Sequence, residues 1–224
     1  MLRRINFLEI KNKNKNGHLY KCPLNIYRYL MIIGGIDYSL TCPSICVYNT
    51  EEGQFSLKTC RFYFNQQSST NKIRAKRYET LKSLNIFESI RFSNDNETIR
   101  YYLLADWALS VLISENVDTV SLEAYALNAV GRIFNIAEAT GILKHYLFTL
   151  GIQVYTFPPS QNKKIFSGKG NANKALMIDT FNQIHGINIA EQLGHKKDFT
   201  GSPVSDIVDS YSLINTFLKE RTML

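Results

Sequence analysis

The stretch Ile32-Ile33-Gly34-Gly35-Ile36-Asp37 constrains the fold more than any other part of the chain. An unbroken apolar run of this length reads as a strand covered on both faces, and such a strand belongs at the centre of a sheet. It ends on a carboxylate. A buried aspartate is costly unless its charge meets a metal or a hydrogen-bond donor. Asp37 is therefore either a cap on the turn into residues 41–44 or part of a site at the end of a central strand.

The elements around it can be read from pattern. Residues 43–49 (PSICVYN) form a second strand. Residues 54–64 (QFSLKTCRFYF) alternate as a third, with Glu52-Gly53 in the connecting turn. From Met31 onward this is a three-strand antiparallel meander. Residues 65–96 are polar and basic (Lys72, Arg74, Lys76, Arg77, Lys82, Arg91) and read as an insertion or exposed loop with a short helix. A helix is expected over 96–116, capped by Asn96 with Glu97 in its first turn. Residues 117–125 form a fourth strand and 131–150 a second helix. Residues 152–158 form a fifth strand, stopped by Pro158-Pro159. A polar loop with Gly168 and Gly170 follows, and helices run over about 172–185 and 204–219. The order predicts an α/β protein with an RNase H-like mixed five-stranded sheet, three antiparallel strands and then parallel ones, flanked by helices.

Composition narrows the function classes. A chain of 224 residues, 45% hydrophobic and 20% charged, has room for one substantial core and is not of disordered type. No apolar run approaches the roughly 20 residues that cross a bilayer, so no membrane partner is expected. The net charge of +7 is concentrated at one end: residues 1–30 hold seven basic residues and one acid. Charge alone is thus no argument for nucleic acid in the body of the protein. Residues 1–30 read as a basic extension and 31–224 as the folded domain. The extension has three readings: an arm that touches phosphates, an acid-poor targeting presequence, or a start-site artefact with translation beginning at Met31. Cys22, Cys42, Cys46 and Cys60 make no CxxC pair, and no histidine lies at zinc-ligand spacing. Reduced, buried thiols in an intracellular, cytoplasmic protein are expected.

Three further acids stand out. Glu123 lies in Thr119-Val120-Ser121-Leu122-Glu123, where it either faces solvent or points into a site. Asp206 and Asp209 lie in SPVSDIVDSYSL. Ser202 reads as the N-cap of that helix and Pro203 as its first residue. The i, i+3 spacing puts both acids on one face, although Asp206 also suits the helix macrodipole. Four carboxylates brought to one point would repel and shift one another's pKa. Divalent cations relieve that, and an all-oxygen ligand set suits Mg²⁺ or Mn²⁺ rather than zinc. Two such ions about 3.5–4 Å apart clamp a phosphodiester for in-line attack by water.

The order GIDYS, SLEAY, the loop from Pro159 through Lys164, Gly168-Lys169-Gly170 and Ala172-Asn173-Lys174, and finally SDIVDSY resembles the RuvC-type Holliday-junction resolvases of the RNase H-like (retroviral integrase) superfamily. The resemblance covers about residues 31–220. It implies a metal-dependent endonuclease that resolves four-way or branched DNA by symmetric hydrolysis, leaving 5′-phosphate and 3′-hydroxyl ends. It implies that Asp37 bridges two Mg²⁺ ions (Mn²⁺ substituting), with Glu123, Asp206 and Asp209 completing the ligands. Lys174 and Lys164 would meet the scissile phosphate, and Lys169, Gly168 and Gly170 would contact DNA. In the family an aromatic three residues after the strand glutamate opens the junction. Here that position is Ala126, and the nearest aromatic is Tyr125. The resemblance also implies a homodimer, and the second helix, with Ile133, Ile136, Ala137 and Gly141, packs either on a partner or on its own sheet. A phage or virus source fits so compact a resolvase. Two other functions stay open: a non-catalytic junction-binding protein on the same scaffold, and an actin/hexokinase-type phosphotransferase, whose second phosphate loop the sequence lacks.

Overall fold

Ile33, Ile36, Ile45, Cys46 and Val47 have no exposed surface, and the strands that carry them form the middle of the sheet. The structure, a computed structural model, describes residues 30–66, 81–89, 96–125 and 133–222. Among these the strands are β1 (Ile32–Asp37), β2 (Ser44–Asn49), β3 (Cys60–Phe64), β4 (Ile86–Glu88), β5 (Thr119–Glu123) and β6 (Gln153–Phe157). The helices are α1 (Glu97–Ser114), α2 (Ile133–Thr149), α3 (Pro159–Ser167), α4 (Lys174–His185), α5 (Ile189–Gln192) and α6 (Val204–Thr222). One mixed sheet runs in the order β4-β3-β2-β1-β5-β6. β1, β2 and β3 pair antiparallel, while β5 pairs parallel with both β1 and β6.

The α/β class and the antiparallel-then-parallel order are as expected, but the sheet has six strands rather than five. The additional strand, β4, pairs parallel with β3 and buries Ile86 beside Phe62. It lies in the stretch read as a polar insertion, where a three-residue strand is too short to show alternation. The third strand begins at Cys60 rather than 54, because residues 57–59 close a 3-10 turn in which the Ser56 amide donates to Thr59 Oγ1 at 3.0 Å. The expected loop after Pro158-Pro159 is largely helix α3. Proline fits a first helical turn, whose N–H groups lack intrahelical partners, and Gly168 ends the helix in the left-handed region at φ 81°. The short α5 was not foreseen either. The last helix begins at Val204, one residue after Pro203, which follows Ser202 through a cis peptide bond. The reading of the N-terminal extension, residue 30 apart, and most of the basic segment 65–91 fall outside the described residues.

Two cores sandwich the sheet. α1 and α2 cover one face through Leu104, Ala108, Leu112, Leu143 and Leu147. α4 and α6 cover the other through Phe181, Ile207, Val208, Tyr211, Ile214 and Phe217. α6 lies directly on β1, with no side chain between the two backbones at Gly35. A Cβ there would sit 2.2 Å from the Ser210 carbonyl oxygen. Where a larger residue would have held the helix off, this glycine brings α6 down onto the sheet.

Candidate active site

Side chains alternate between faces along a strand. Gly35 faces α6, so Asp37, two residues on, faces it too. Ser121 Oγ donates to the Leu213 carbonyl of α6 at 2.9 Å, and Glu123 shares its face. Gly35 and Ser121 are register partners on parallel strands, so Asp37 and Glu123 emerge side by side at the same sheet edge. This is the carboxyl end of the parallel strands, where open α/β sheets hold ligands. α6 starts over that edge, secured by a 3.1 Å bond between the hydroxyls of Ser44 and Ser210. Its first two turns carry Asp206, which is buried, and Asp209, which is half-buried.

Asp37 and Asp209 respond to the acids around them. Burial pushes Asp37 well above the usual carboxylate range, and the charges of Asp209, Asp206 and Glu123 push it further, while Lys174 pulls it down. Asp209 rises to about 7 through burial, Glu123 and Asp206, opposed by Lys174 and Lys163. Glu123 is raised by burial and lowered by Lys163. One oxygen of Asp206, Oδ2, is buried without a hydrogen-bond partner. Burial and the negative charge of Asp206 push the buried Cys42 thiol up, so it stays protonated. Among the described residues no three acidic, histidine or cysteine side chains are gathered closely enough to hold a metal ion as they stand. The arrangement is an open cup rather than a closed cage. Its donors are nevertheless all hard oxygens, its charges are mutually repulsive, and a buried carboxylate oxygen is left over. That set fits a divalent cation.

The lysines sort differently from the sequence expectation. Lys174 opens α4, behind the Asn173 cap, and its Nζ lies 3.2 Å from Ser205 Oγ, next to Asp206. On α3 the lysine whose charge acts on Glu123 and Asp209 is the half-buried Lys163, whereas Lys164 is exposed. With 159–167 read as a loop, no helical rotation of about 100° per residue separated the two. Read as a helix with Asn162 and Phe166 inward, the same residues would have pointed to Lys163. Cys42 and Ser205 had no such signal. Lys169 is exposed beyond α3. Gly168 caps that helix, and Gly170 packs where a Cβ would stand 3.2 Å from the Ser160 carbonyl. Tyr125 is 39% exposed, with Lys144 Nζ 5.0 Å from its ring centroid. Ala126 lies outside the described residues.

The raised carboxyls carry a stability signature. A carboxyl whose folded pKa exceeds its unfolded value is neutral in both states at low pH. Its contribution is lost as pH rises, because the unfolded chain releases the proton first. For Asp209 the loss runs from its ordinary 3.8 up through about 7. In a chelator, Asp209→Asn should therefore melt several degrees above wild type at pH 8, and the difference should shrink towards zero near pH 4. Thermal melts across that range read it directly.

No family model matches the chain. A crossover junction endodeoxyribonuclease RuvC of Corynebacterium jeikeium (strain K411) is 35% identical over 72 residues, which are 32% of this chain and 44% of that relative. The match thus spans less than half the relative's length. The structure of Thermus thermophilus RuvC in complex with Holliday junction substrate superposes with a TM-score of 0.55 and 19% identity, over 86% of this chain and 96% of that one. A second Thermus thermophilus RuvC structure gives 0.51 and 18%, over 86% and 98%. The fold of this chain is the RuvC-type, RNase H-like fold. Among the described residues no helix is long and apolar enough to cross a membrane.

Proposed function

We propose that this protein is a structure-selective endodeoxyribonuclease that resolves four-way or branched DNA junctions by paired phosphodiester hydrolysis. One observation carries the reading: four carboxylates from β1, β5 and α6 lie near enough that Asp37 feels the charges of the other three, with Lys174 and Lys163 acting on the group, at the carboxyl edge of a RuvC-type sheet. The name of the Corynebacterium relative and the junction substrate of the Thermus complex support the choice of reaction and substrate.

Asp37, Glu123, Asp206 and Asp209 would hold a pair of Mg²⁺ ions, with Mn²⁺ an effective substitute, which supply an activated water and neutralise charge on the phosphate. The residues do the rest. Asp37, which feels the charges of Glu123 and of both acids of α6, would be a ligand at the centre of that set. Lys174, steadied by Ser205, and Lys163 offer ammonium groups to the non-bridging phosphate oxygens, where charge develops in the transition state. Lys169, Gly168 and Gly170 form the next stretch of DNA contact, and Tyr125, exposed beside Glu123, is the aromatic nearest the unstacked junction centre.

A junction has near two-fold symmetry, and a homodimer matches it. The outer face of α2 is suited to self-pairing. Phe134, Glu138, Gly141, His145 and Phe148 form one exposed stripe, with Phe134 at 76% and Phe148 at 83% exposure. The stripe is nearly symmetric about Gly141, where a Cβ would meet nothing within 4 Å. Two copies crossing antiparallel there set Phe134 against the partner's Phe148 and Glu138 near the partner's His145. Phe148→Glu should convert the dimer to monomer in sedimentation analysis without lowering the melting temperature. A sedimentation profile identical to wild type would place the interface elsewhere.

The activity itself is tested with a synthetic four-way junction. With Mg²⁺ the protein should introduce symmetric nicks in two strands and leave linear duplex intact. Junction binding with no cleavage under Mg²⁺ or Mn²⁺ would favour a binding protein. ATP turnover without DNA would favour a phosphotransferase.

A further inference from the structure

Asn162 occupies the centre of the α3–α6 contact and is only 4% exposed. Its Nδ2 donates to Ser212 Oγ at 2.8 Å, and its Oδ1 accepts from Thr216 Oγ1 at 2.7 Å. Both hydroxyls are fully buried. Ser212 Oγ in turn donates to the Asp209 carbonyl at 2.8 Å. A hydrogen-bonded relay therefore runs from α3 to the backbone of one of the four acids. A buried amide must satisfy both ends or be strongly unfavourable, whereas an apolar residue would fill the space with no such demand. What the amide adds is direction. Its two ends differ, and they engage hydroxyls one turn apart on α6, so α3 can adopt only one rotation about its own axis.

That rotation decides which lysine meets the acids. Lys163 follows Asn162 immediately and is half-buried; Lys164, a further 100° or so around the helix, faces solvent. At the rim, Gln161 Nε2 donates to Glu220 Oε1 at 3.0 Å and Lys219 Nζ to the Ile165 carbonyl at 3.2 Å. These partly exposed contacts add less than the buried amide. We propose that Asn162 is a positioning residue: through Ser212 and Thr216 it fixes the rotation of α3 and so presents Lys163 to the carboxylate cup. Its effect on catalysis rests on the nuclease reading above; its effect on the placement of Lys163 does not.

Two variants of the full chain test this. Asn162→Leu removes the amide at similar volume. Thr216→Val removes one donor isosterically and carries the same measurements should the first fail to fold. The first measurement needs no activity: acetylation of Lys163 by N-hydroxysuccinimidyl acetate, read by peptide mass spectrometry with Lys164 as internal reference. The Lys163-to-Lys164 labelling ratio should rise about threefold or more. An unchanged ratio overturns the proposal. The second is single-turnover junction cleavage with Mg²⁺ at saturating protein. Asn162→Leu should cut about tenfold to a hundredfold more slowly, with junction Kd within about twofold of wild type. Combined with Lys163→Met, it should cut no more slowly than Lys163→Met alone. A further loss of the same size in that background means Asn162 acts elsewhere, and the proposal falls. Should wild type cut no branched substrate, the nuclease reading fails, while the labelling ratio still decides whether the clamp exists.

Discussion

Asp37→Asn should bind a four-way junction as tightly as wild type and cleave it about a thousandfold more slowly or worse in Mg²⁺. The substitution keeps shape and removes the charge nearest the centre of the cup, the one that feels all three other acids. Because Asp37 is buried and repelled, its loss should also relieve strain. The variant should melt above wild type in chelator at pH 8 and gain less from added Mg²⁺. The pairing of opposite effects is the informative part. A residue needed for folding loses stability and activity together, whereas a ligand of an absent cation gains one and loses the other. Cleavage at the wild-type rate would remove Asp37 from the site and, with it, the case for the remaining three acids.

Gly35→Ala should cost about 3 kcal/mol or more, at the upper end for overpacking, and lower the melting temperature by roughly 10 °C. The added methyl would stand 2.2 Å from the Ser210 carbonyl, 2.8 Å from Ile214 Cγ1 and 3.2 Å from the Ile214 amide nitrogen. Two of those atoms are backbone and cannot step aside, so α6 as a whole must lift. It carries Asp206 and Asp209 with it, and a displacement of about 1 Å at reacting groups can cost a hundredfold in rate. Gly34→Ala is the control. Its methyl would meet Leu112 Cδ2 at 3.1 Å, the mobile end of a side chain on the other face. It should lose far less of both quantities in melts and nicking assays. Equal losses at the two positions would mean that glycine flexibility, and not the approach of α6, is what the strand needs.

Most of the sheet was legible in the sequence because its central strands are apolar on both faces and bounded by turns. β4 was not, since three residues in a basic segment bury only Ile86 and show no period. α3 was hidden by its own punctuation: Pro158-Pro159 and Gly168 read as loop markers, although they are a helix start and a helix stop. The acids stood out one by one, each a charge in an otherwise apolar element. That they lie close enough to couple could not be read from any one of them, because coupling depends on the register of β1 with β5 and on how near α6 comes to the sheet. The choice between Lys163 and Lys164 turned on a helical rotation that only a correct assignment of α3 would have supplied. Buried polar partners such as Asn162 and Ser212 carry no sequence signal, since a serine or asparagine in a helix is more often on the surface.

Two of the four acids, on β1 and β5, lie in the first 123 residues, and the other two only beyond residue 204. A polypeptide still emerging from the ribosome therefore holds only half of the charge cluster until α6 has been made. A cut between β5 and α6 would part Asp37 and Glu123 from Asp206 and Asp209, and so divide the four acids into two pairs.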